Sequence, residues 1–407
     1  MSNHYDVIIV GAGPAGLAAA RSLVDAGVKD ILLIEREQEA GGVPRHCRHP
    51  TFGLQTFNRP MNGHNWVDRL LGMVVNTCEI RTGTTVVKIN PGGEVHISSN
   101  RGLEKLFAKR VILATGVRET PRHPRLVSGV RPQGILTTGA LQQFIYLKNL
   151  KPGDRSVIVG SELVSFSALW TLRNAGIKAL ALIDENERTI AFRPAALFAR
   201  LMGVKLLLGT RITKINGAER VDSIEFTDAN GMKSQLECDS IIFTGRFVGE
   251  YTLIRQSHLA HESESGRPLF DQYYRCSDPC YYIAGNMAHP ADMGDQCYQE
   301  GLVVGQTVAH SLRENKNENF IVPVQLDDLF RISAPNQISG GSRYNAPVTL
   351  NVRVSRYHKG EIIVCDGERE LYRATHRCLP ERRILLKGID ISKITPESKL
   401  KVIAKKL

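Results

Sequence analysis

The first apolar segments of the chain follow the order strand, turn, helix, strand. Residues 5–10 form a predominantly apolar run, long enough for one buried strand, and the glycine-rich residues 11–16 follow it at once. A helical pattern comes next, and Gly27 is typical of a helix C-terminus. Residues 31–34 form a second apolar run, which ends at Glu35. This order predicts a dinucleotide-binding unit at the start of the chain.

The same order returns in the middle of the chain. A strand is predicted at residues 156–159, a turn begins at Gly160, and a helix follows over residues 162–175. A further strand, residues 179–183, ends at Asp184. The offset from the first glycine to the acidic residue is 24 residues in both copies. This matched spacing predicts two folds of the dinucleotide-binding type.

Short strands divide the chain further. Residues 111–116 and 241–245 each end in Thr-Gly, and residues 281–286 form a later strand and turn. A helix is expected near residues 295–310, and a β-rich stretch begins near residue 321. The predicted domains are residues 1–118 and 246–320 for the first unit, 119–245 for the second, and 321–407 for a small C-terminal domain. The fold class is therefore α/β, with two nested Rossmann-like domains and a small β-rich C-terminal domain.

Composition is that of an ordinary globular protein. Of the 407 residues, 42% are hydrophobic and 23% are charged, and no apolar run is long enough to span a bilayer. The N-terminus has no signal-peptide pattern, so we expect a cytoplasmic location. The formal net charge of +11 favours acidic partners, anionic substrates or a membrane surface, although nothing else in the sequence supports the membrane. The basic residues are dispersed and not interleaved with aromatic residues, so nucleic acid is not expected.

Eight cysteines are scattered along the chain, and no two of them form a CxxC motif. This spacing fits neither a disulfide framework nor a zinc site, so we expect reduced thiols and no bound metal. Cys276 and Cys280 could form a labile disulfide, but two loop thiols are the favoured interpretation.

The GAGPAG motif at residues 11–16 has the context that phosphate binding requires, because it lies between a strand and a helix. Gly11 permits a tight turn, Gly13 lets the backbone approach a pyrophosphate, and Gly16 lets the helix pack closely on the strand. The helix N-terminus then faces the phosphates with free N–H groups. Glu35 can accept hydrogen bonds from a ribose diol.

Several motifs together resemble the flavoprotein family with two dinucleotide domains that includes thioredoxin and glutathione reductases. They are GAGPAG, Glu35, Gly41-Gly42, Ala114-Thr115-Gly116 and Ala284-Gly285-Asn286, and the resemblance covers about residues 5–315. It implies that the first unit holds FAD. Asn286 stands where the family has an aspartate that contacts the ribityl chain, and it can still form hydrogen bonds. The expected FAD-binding residues are Gly11, Gly13, Pro14, Ala15, Gly16, Glu35, Arg36, Gly42, Val86, Thr115, Gly116, Gly285 and Asn286.

A second resemblance is closer. The segment GGVPRHC at residues 41–47, with His49 and with residues 118–122 and 131–134, is similar to the FAD subunits of amine and imino-acid dehydrogenases. These include opine oxidase, hydrogen cyanide synthase and proline dehydrogenase complexes. The resemblance implies a flavin subunit that oxidises a small molecule and passes electrons to a partner redox subunit or acceptor. Many such subunits carry extra cysteine motifs for an iron–sulfur cluster, which this chain lacks.

The second unit departs from the glycine pattern. Glu162 stands where a glycine would admit the pyrophosphate, and Ser165 replaces the glycine that packs against the strand. A carboxylate adds bulk and like charge against a diphosphate. We therefore expect NAD(P) binding to be weak or lost, although Asp184 could still accept a ribose diol. The alternative is intact binding with the Glu162 side chain turned outward.

Two residues are weak catalytic candidates. Cys47, flanked by Arg45, His46 and Arg48, could have a lowered pKa, although a structural loop is the favoured interpretation. Asp292 follows the Gly-Asn turn and could be an acid or base, as could its neighbours His289 and Asp295. Structural roles fit those three residues equally well, with Asp295 near a helix N-cap.

Two other functions stay open at this point. A stand-alone NAD(P)H-dependent reductase is a common use of this fold, but it needs a working second unit. A non-catalytic FAD-binding scaffold subunit is the other. The β-rich end and its basic tail are candidate docking surfaces for a partner.

Overall fold

The computed structural model describes residues 3–191, 197, 199–313, 320–341, 347–380 and 382–406. Its helices are Pro14–Asp25, Leu54–Phe57, Gly63–Gly72, Thr138–Gln142, Leu163–Asn174, Thr252–Arg255 and Gly294–Arg313, with a π-helical turn at Gln143–Leu147 and 3₁₀ turns at Val43–His46, Pro91–Gly93, His123–Arg125 and Gly285–Met287. No helix in this part of the chain combines the length and the apolar character that a bilayer crossing requires.

The first unit is built on a seven-stranded sheet. Its strands are, across the sheet, Glu79–Arg81, Ile31–Ile34, His4–Val10, Gly102–Leu113, Glu94–Ser99 and Thr85–Asn90, and Tyr281–Ile283 pairs with Gly102–Leu113. Strand Gly102–Leu113 pairs in parallel with His4–Val10 and antiparallel with Glu94–Ser99. Because parallel strands end at the same edge, the turns after residues 10, 34, 113 and 283 converge there.

Two helices cover one face of this sheet. Helix Pro14–Asp25 packs against helix Gly294–Arg313, and a Cβ at Gly301 would overlap the carbonyl oxygen of Ala15. The close approach explains why a glycine stands in the middle of the later helix, where it costs stability by itself. Fully buried apolar residues such as Leu17 and Val304 fill the space between helices and sheet.

The second unit has a five-stranded parallel sheet and a smaller four-stranded sheet. The parallel strands are, in order, Lys205–Leu208, Lys178–Asp184, Arg155–Val159, Ser240–Phe243 and Ile135–Thr137. The smaller sheet contains Lys233–Glu237, Val221–Thr227, Arg211–Gly217 and Ser128–Gly129. The predicted helix at 162–175 spans Leu163–Asn174, so both halves of the predicted repeat have the same element order.

An antiparallel ribbon joins the two units. Strand Val117–Arg118 leaves the first unit, and strand Val248–Gly249 returns to it beside the first crossing. The chain thus enters and leaves the second unit at one place. We propose residues 1–118, 119–245, 246–320 and 321–407 as the division of the chain.

The C-terminal region consists of two antiparallel-rich sheets. One contains Gln337–Gly340, Phe320–Leu326, Leu400–Lys406, His358–Asp366 and Arg369–Cys378, and the other contains Phe330–Ala334, Val348–Val354 and Ile384–Ile389. Its core includes the fully buried side chains of Val352, Leu386 and Val402. The region is docked on the first unit, since Asn336 Oδ1 accepts the Phe270 N–H at 2.9 Å. The predicted α/β fold class with a β-rich C-terminus is confirmed.

Candidate functional site

The first glycine-rich turn forms an open cradle at the end of strand His4–Val10. Gly11 has a φ of +107°, and a Cβ there would overlap the carbonyl oxygen of Ala114. A Cβ at Gly16 would overlap the carbonyl oxygen of Gly11. Around a Cβ added at Gly13, no atom of the described residues beyond its chain neighbours lies within 4 Å. Two glycines therefore close the turn, and the third leaves room for a ligand.

Helix Pro14–Asp25 begins directly behind this opening. Gly13 is its N-cap residue, and no side chain of the described residues caps it. Gly13, Pro14 and Ala15 all line a cavity in front of the helix. The free backbone N–H groups of the first turn and the positive end of the helix dipole are therefore available to a phosphate.

Glu35 braces the cradle from the neighbouring strand. Its carboxylate accepts the backbone N–H groups of Ala12 and Glu37, both at 3.0 Å. Its side chain is almost fully buried, yet the residue lines the same cavity. A carboxylate has about four acceptor positions, so those left can take ribose hydroxyl groups.

The cavity has a volume of about 1630 Å³. A typical ligand pocket is ~300–1,000 Å³, so there is room for a large cofactor and a second ligand. Most of the expected FAD-binding residues line it: Gly11, Gly13, Pro14, Ala15, Glu35, Arg36, Gly42, Val86, Thr115, Gly116 and Asn286. Gly16 and Gly285 lie behind the lining, where each is packed against a residue of the cradle. An uncapped helix, an open glycine and a buried acidic residue fit the pyrophosphate and ribose of FAD.

The Asn286 side chain forms two hydrogen bonds with the backbone of Asp292, in the loop that follows it. Its Oδ1 accepts the Asp292 N–H at 2.8 Å, and its Nδ2 donates to the Asp292 carbonyl oxygen at 3.1 Å. Asn286 also lines the cavity, so a contact to the ribityl chain stays a prediction. An aspartate could not make the second of these hydrogen bonds, because it has no N–H donor.

Asp292 joins the first unit to the C-terminal region. Its carboxylate pairs with Arg353, and both side chains are almost fully buried. Arg383 Nη1 lies 3.5 Å from the other carboxylate oxygen. Asp292 lines the cavity, but its engagement by two guanidinium groups supports the structural interpretation over the acid–base one.

The other two acidic or basic candidates near this loop have structural partners. Asp295 accepts the backbone N–H groups of Gly53 and Thr56, each at 2.9 Å, and therefore holds the short helix Leu54–Phe57. Asp295 lies in the first turn of helix Gly294–Arg313, near the helix N-terminus as expected, while its carboxylate binds the neighbouring segment. His289 Nε2 lies 2.6 Å from the Glu300 carboxylate, and its Nδ1 lies 2.9 Å from Nδ2 of Asn351 in the C-terminal region.

Cys47 lies in the cavity wall with a protonated thiol. Burial raises the pKa of Cys47 to about 12, and the negative charge of Glu119 acts in the same direction. The hypothesis of a lowered pKa is wrong, because the flanking cations face elsewhere. Arg45 pairs with Glu37 and Glu39, and the Arg48 guanidinium lies over the Tyr146 ring. The thiols of all eight cysteines, Cys276 and Cys280 included, are free.

Beside Cys47, the structure places a histidine whose importance the sequence did not reveal. His46 is buried in the cavity wall, and burial lowers its pKa. Its Nδ1 lies 3.3 Å from Oε1 of Gln142, whose Nε2 donates to Ser167 Oγ at 2.8 Å. Because the amide oxygen of Gln142 faces the ring, Nδ1 carries the proton and Nε2 is the basic nitrogen. The signal in the sequence is the RHC segment, in which the cysteine is the more conspicuous residue.

The C-terminal region also contributes to the cavity. Arg353, Arg382 and Arg383 line it, although they follow the first unit by many residues in the sequence. Arg383 Nε is buried and has no hydrogen-bond partner among the described residues. The side chain as a whole is 28% exposed, so this arginine is a partly exposed cation of the wall.

Glu162 of the second unit lines the same cavity, and its side chain is turned inward. A Cβ at Gly245 would lie only 2.5 Å from the Glu162 Cδ atom. The alternative with the side chain turned outward is therefore not the arrangement found.

A cradle of this kind on two nested Rossmann-like units defines an FAD-dependent oxidoreductase. The chain belongs to the pyridine nucleotide-disulphide oxidoreductase family, whose model matches residues 5–310. FAD and NAD(P) are the cofactors of that family. The resemblance drawn from the sequence is thereby confirmed.

Individual relatives are distant. An opine oxidase subunit from Rhizobium meliloti is 26% identical over 324 residues, which cover 70% of this chain and 59% of that protein. A soluble pyridine nucleotide transhydrogenase from Vibrio parahaemolyticus is 23% identical over 357 residues, which cover 77% of this chain and 72% of that protein. The solved thioredoxin reductase of T. acidophilum aligns with a TM-score of 0.66 and 20% identity, over 77% of this chain and all of that one. The chain spans 59–66% of the length of the opine oxidase subunits it matches.

Proposed function

We propose that this chain is the flavin subunit of a dehydrogenase that oxidises an amine or imino acid and passes the electrons to a partner subunit or acceptor. One observation carries the proposal. Beyond the FAD cradle, the cavity wall combines a neutral imidazole, His46, with a partly exposed cation, Arg383. A base can accept the proton of an amine, and a cation can bind the carboxylate of an amino acid.

Arg383 is the group that we assign to the substrate carboxylate. Its side chain lines the cavity and is 28% exposed, and its ion pair with Asp292 is long at 3.5 Å, so its guanidinium can also bind a substrate carboxylate. Asp292 is shared between Arg353 and Arg383, which leaves this part of the wall with excess positive charge. An anionic substrate is also consistent with the net charge of +11.

We assign to His46 the role of accepting the proton from the substrate nitrogen. An amine that loses a hydride from carbon and a proton from nitrogen becomes an imine, and FAD, when bound, is the two-electron acceptor. Burial keeps the His46 imidazole neutral near pH 7, so Nε2 can accept the proton from nitrogen. Cys47 is not needed for this chemistry, and its raised pKa makes it a poor nucleophile.

A partner subunit is proposed from the relatives. The opine oxidase chains are subunits by name, and this chain is similar to them over 70% of its length. The match covers 59% of that subunit, so we propose the partner from the similarity of this shared part alone.

A stand-alone NAD(P)H-dependent reductase is the second candidate. The family match extends through the second unit, and a pyridine nucleotide transhydrogenase is among the relatives. That function requires nicotinamide access to the second unit, where Glu162 is turned inward.

Anaerobic mixing of the FAD-loaded protein with candidate reductants separates these functions. The panel contains proline, sarcosine and opine-type N-carboxyalkyl amino acids, the matching amides, and NADH and NADPH, with visible flavin absorbance as the signal. We expect bleaching by at least one anionic amine and much slower bleaching by its amide. Fast bleaching by NADH or NADPH alone would establish the second candidate. No bleaching, with reduction by dithionite intact, would favour a non-catalytic FAD scaffold.

A further inference from the structure

The second unit keeps the backbone frame of a dinucleotide site. Gly160 has a φ of +129° and donates its N–H to the Ile183 carbonyl oxygen at 2.8 Å. Gly11 of the first unit makes the same bond to Ile34, also at 2.8 Å. The acidic residue is also in place, because Asp184 Oδ1 accepts the Asn186 N–H at 2.8 Å. The second unit therefore retains the dinucleotide-binding backbone, although Glu162 and Ser165 replace two of its glycines.

The two frames differ in what stands at the helix N-cap. Gly13 has φ and ψ of −78° and −177°, and Glu162 has −72° and 172°, so the two residues share one backbone conformation. At Gly13 the space for a side chain is open. At Glu162 a carboxylate fills it.

The carboxylate of Glu162 is bound into the turn. It accepts hydrogen bonds from Ser165 Oγ at 3.1 Å and from Thr244 Oγ1 at 3.2 Å. A Cβ at Gly160 would lie 2.5 Å from its Oε2 atom, and one at Gly245 would lie equally close to its Cδ atom. Ser165 itself stands where the pattern has a packing glycine, and here it supplies a donor to the carboxylate. The two residues that replace glycines, Glu162 and Ser165, are therefore hydrogen-bonded to each other.

We propose that Glu162 occupies the pyrophosphate position of the second unit and excludes NAD(P), so that this unit serves as a wall of the substrate cavity and not as a nicotinamide site. The carboxylate takes the place and the sign of a phosphate group at the helix N-terminus. A bound dinucleotide would have to displace it from two hydroxyl donors and bring two further negative charges beside it.

A neighbouring cation does not reverse this conclusion. Arg125 is a positive group beside the turn, and its Nη2 donates to the carbonyl oxygens of Thr244 and Gly245 at 2.7 and 3.1 Å. The guanidinium is thus bound to backbone and acts on Glu162 only at longer range, where Asp184 opposes it.

Equilibrium binding of NADH and NADPH by calorimetry at pH 8, where Glu162 is ionised because its pKa is about 7, tests the proposal on the FAD-loaded protein. Glu162→Gly removes bulk and charge at an extended backbone position that tolerates glycine, whereas Glu162→Gln removes the charge alone. Glu219→Gln is the control, because it removes one exposed charge of the same unit away from the cavity. We expect E162G to bind NADH or NADPH at least about tenfold more tightly than the wild type and the control, with E162Q between them.

Two results would overturn the proposal. One is measurable NADH or NADPH binding by the wild type with a Kd within threefold of that of E162G, which would mean that the carboxylate is no obstacle. The other is no detectable binding by an E162G protein that retains its FAD and its unfolding midpoint, which would mean that another feature excludes the nucleotide. Because binding is measured directly, neither result depends on whether an amine is oxidised.

Discussion

The Nδ1 atom of His46 lies 3.3 Å from Oε1 of Gln142, and this contact determines which ring nitrogen is the base. Gln142 is itself fixed by hydrogen bonds from its Nε2 to Ser167 and Thr171. The pair joins the 3₁₀ turn Val43–His46 of the first unit to the helix Thr138–Gln142 of the second unit. The two units therefore meet at His46, the residue that we propose as the proton acceptor.

Replacing His46 tests its role as the base. We expect His46→Gln to retain FAD and to lower the rate of flavin reduction by the amine substrate about 10²- to 10⁴-fold. Stopped-flow reduction under anaerobic conditions measures this rate. A loss below threefold would contradict the assignment.

Gln142 is a positioning residue, and its effect should appear in the pH profile. Gln142→Glu places a negative charge beside Nδ1, which stabilises the imidazolium and raises the pKa of His46. The neutral base then forms only at higher pH, so the acid limb of the rate profile should move upward. In the wild type, where burial lowers the pKa of His46, this limb should lie below the usual histidine value of about 6.5. Gln235→Glu, on an exposed strand of the second unit, should leave the profile unchanged.

Arg383 should act on substrate binding more than on turnover. A hydrogen bond to a charged group contributes ~1.5–3 kcal/mol, so Arg383→Ala should raise KM for the anionic amine about tenfold or more. The effect should vanish with the amide of the same substrate, which has no carboxylate. Arg377→Ala removes an exposed cation of the same region and serves as the control. Equal KM changes for acid and amide would refute carboxylate recognition.

Substitutions of the glycines in the first turn should have different effects, on FAD binding at Gly13 and on stability at Gly16. Gly13→Val enters open space at an ordinary backbone angle, so the protein should fold normally and lose FAD. Gly16→Ala would collide with the Gly11 backbone, so this variant should unfold at lower denaturant concentration even before cofactor binding is considered. Gly72→Ala, with open space at the end of a helix, is the control. Bound FAD per chain and urea midpoints distinguish the two losses, and a Gly13→Val protein that retains FAD would contradict the cradle.

The first cradle could be predicted from the sequence because its physics is local. The spacing of Gly11, Gly13 and Gly16 specifies one turn between a strand and a helix, and few folds supply that context. The same local reasoning identified Glu162 as an obstacle. It left the direction of the side chain open, since that depends on Thr244, which lies 82 residues further along the chain.

The remaining site residues depend on tertiary contacts. The cations beside Cys47 looked activating in the sequence, but Arg45 turns to Glu37 and Glu39. Arg383 comes from a β-rich region whose docking no local pattern encodes. Asp295 stands at the predicted helix start, but its hydrogen bond to the Gly53 N–H joins segments more than 200 residues apart, and no local pattern encodes it.

The buried Glu162 should also make stability depend on pH. Burial raises the pKa of Glu162 to about 7, with Asp184 adding to the shift and with Ser165 and Arg125 opposing it. In the unfolded chain a glutamate has a pKa of about 4.3, so the folded state binds the proton more tightly. The contribution of Glu162 to stability is therefore fully present below about pH 4.3, falls as the pH rises, and is lost above about pH 7.

Glu162→Gln removes this dependence because glutamine does not titrate. Relative to the wild type, the variant should be more stable at pH 8 than it is at pH 5, as measured by the urea concentration at half-unfolding at each pH. Arg125→Gln supplies a second arm, since loss of the opposing cation should raise the pKa of Glu162 further and steepen the fall in stability toward pH 8. If the difference between wild type and E162Q is the same at both pH values, the Glu162 carboxylate is not held in the buried turn, and the exclusion of NAD(P) loses its structural basis.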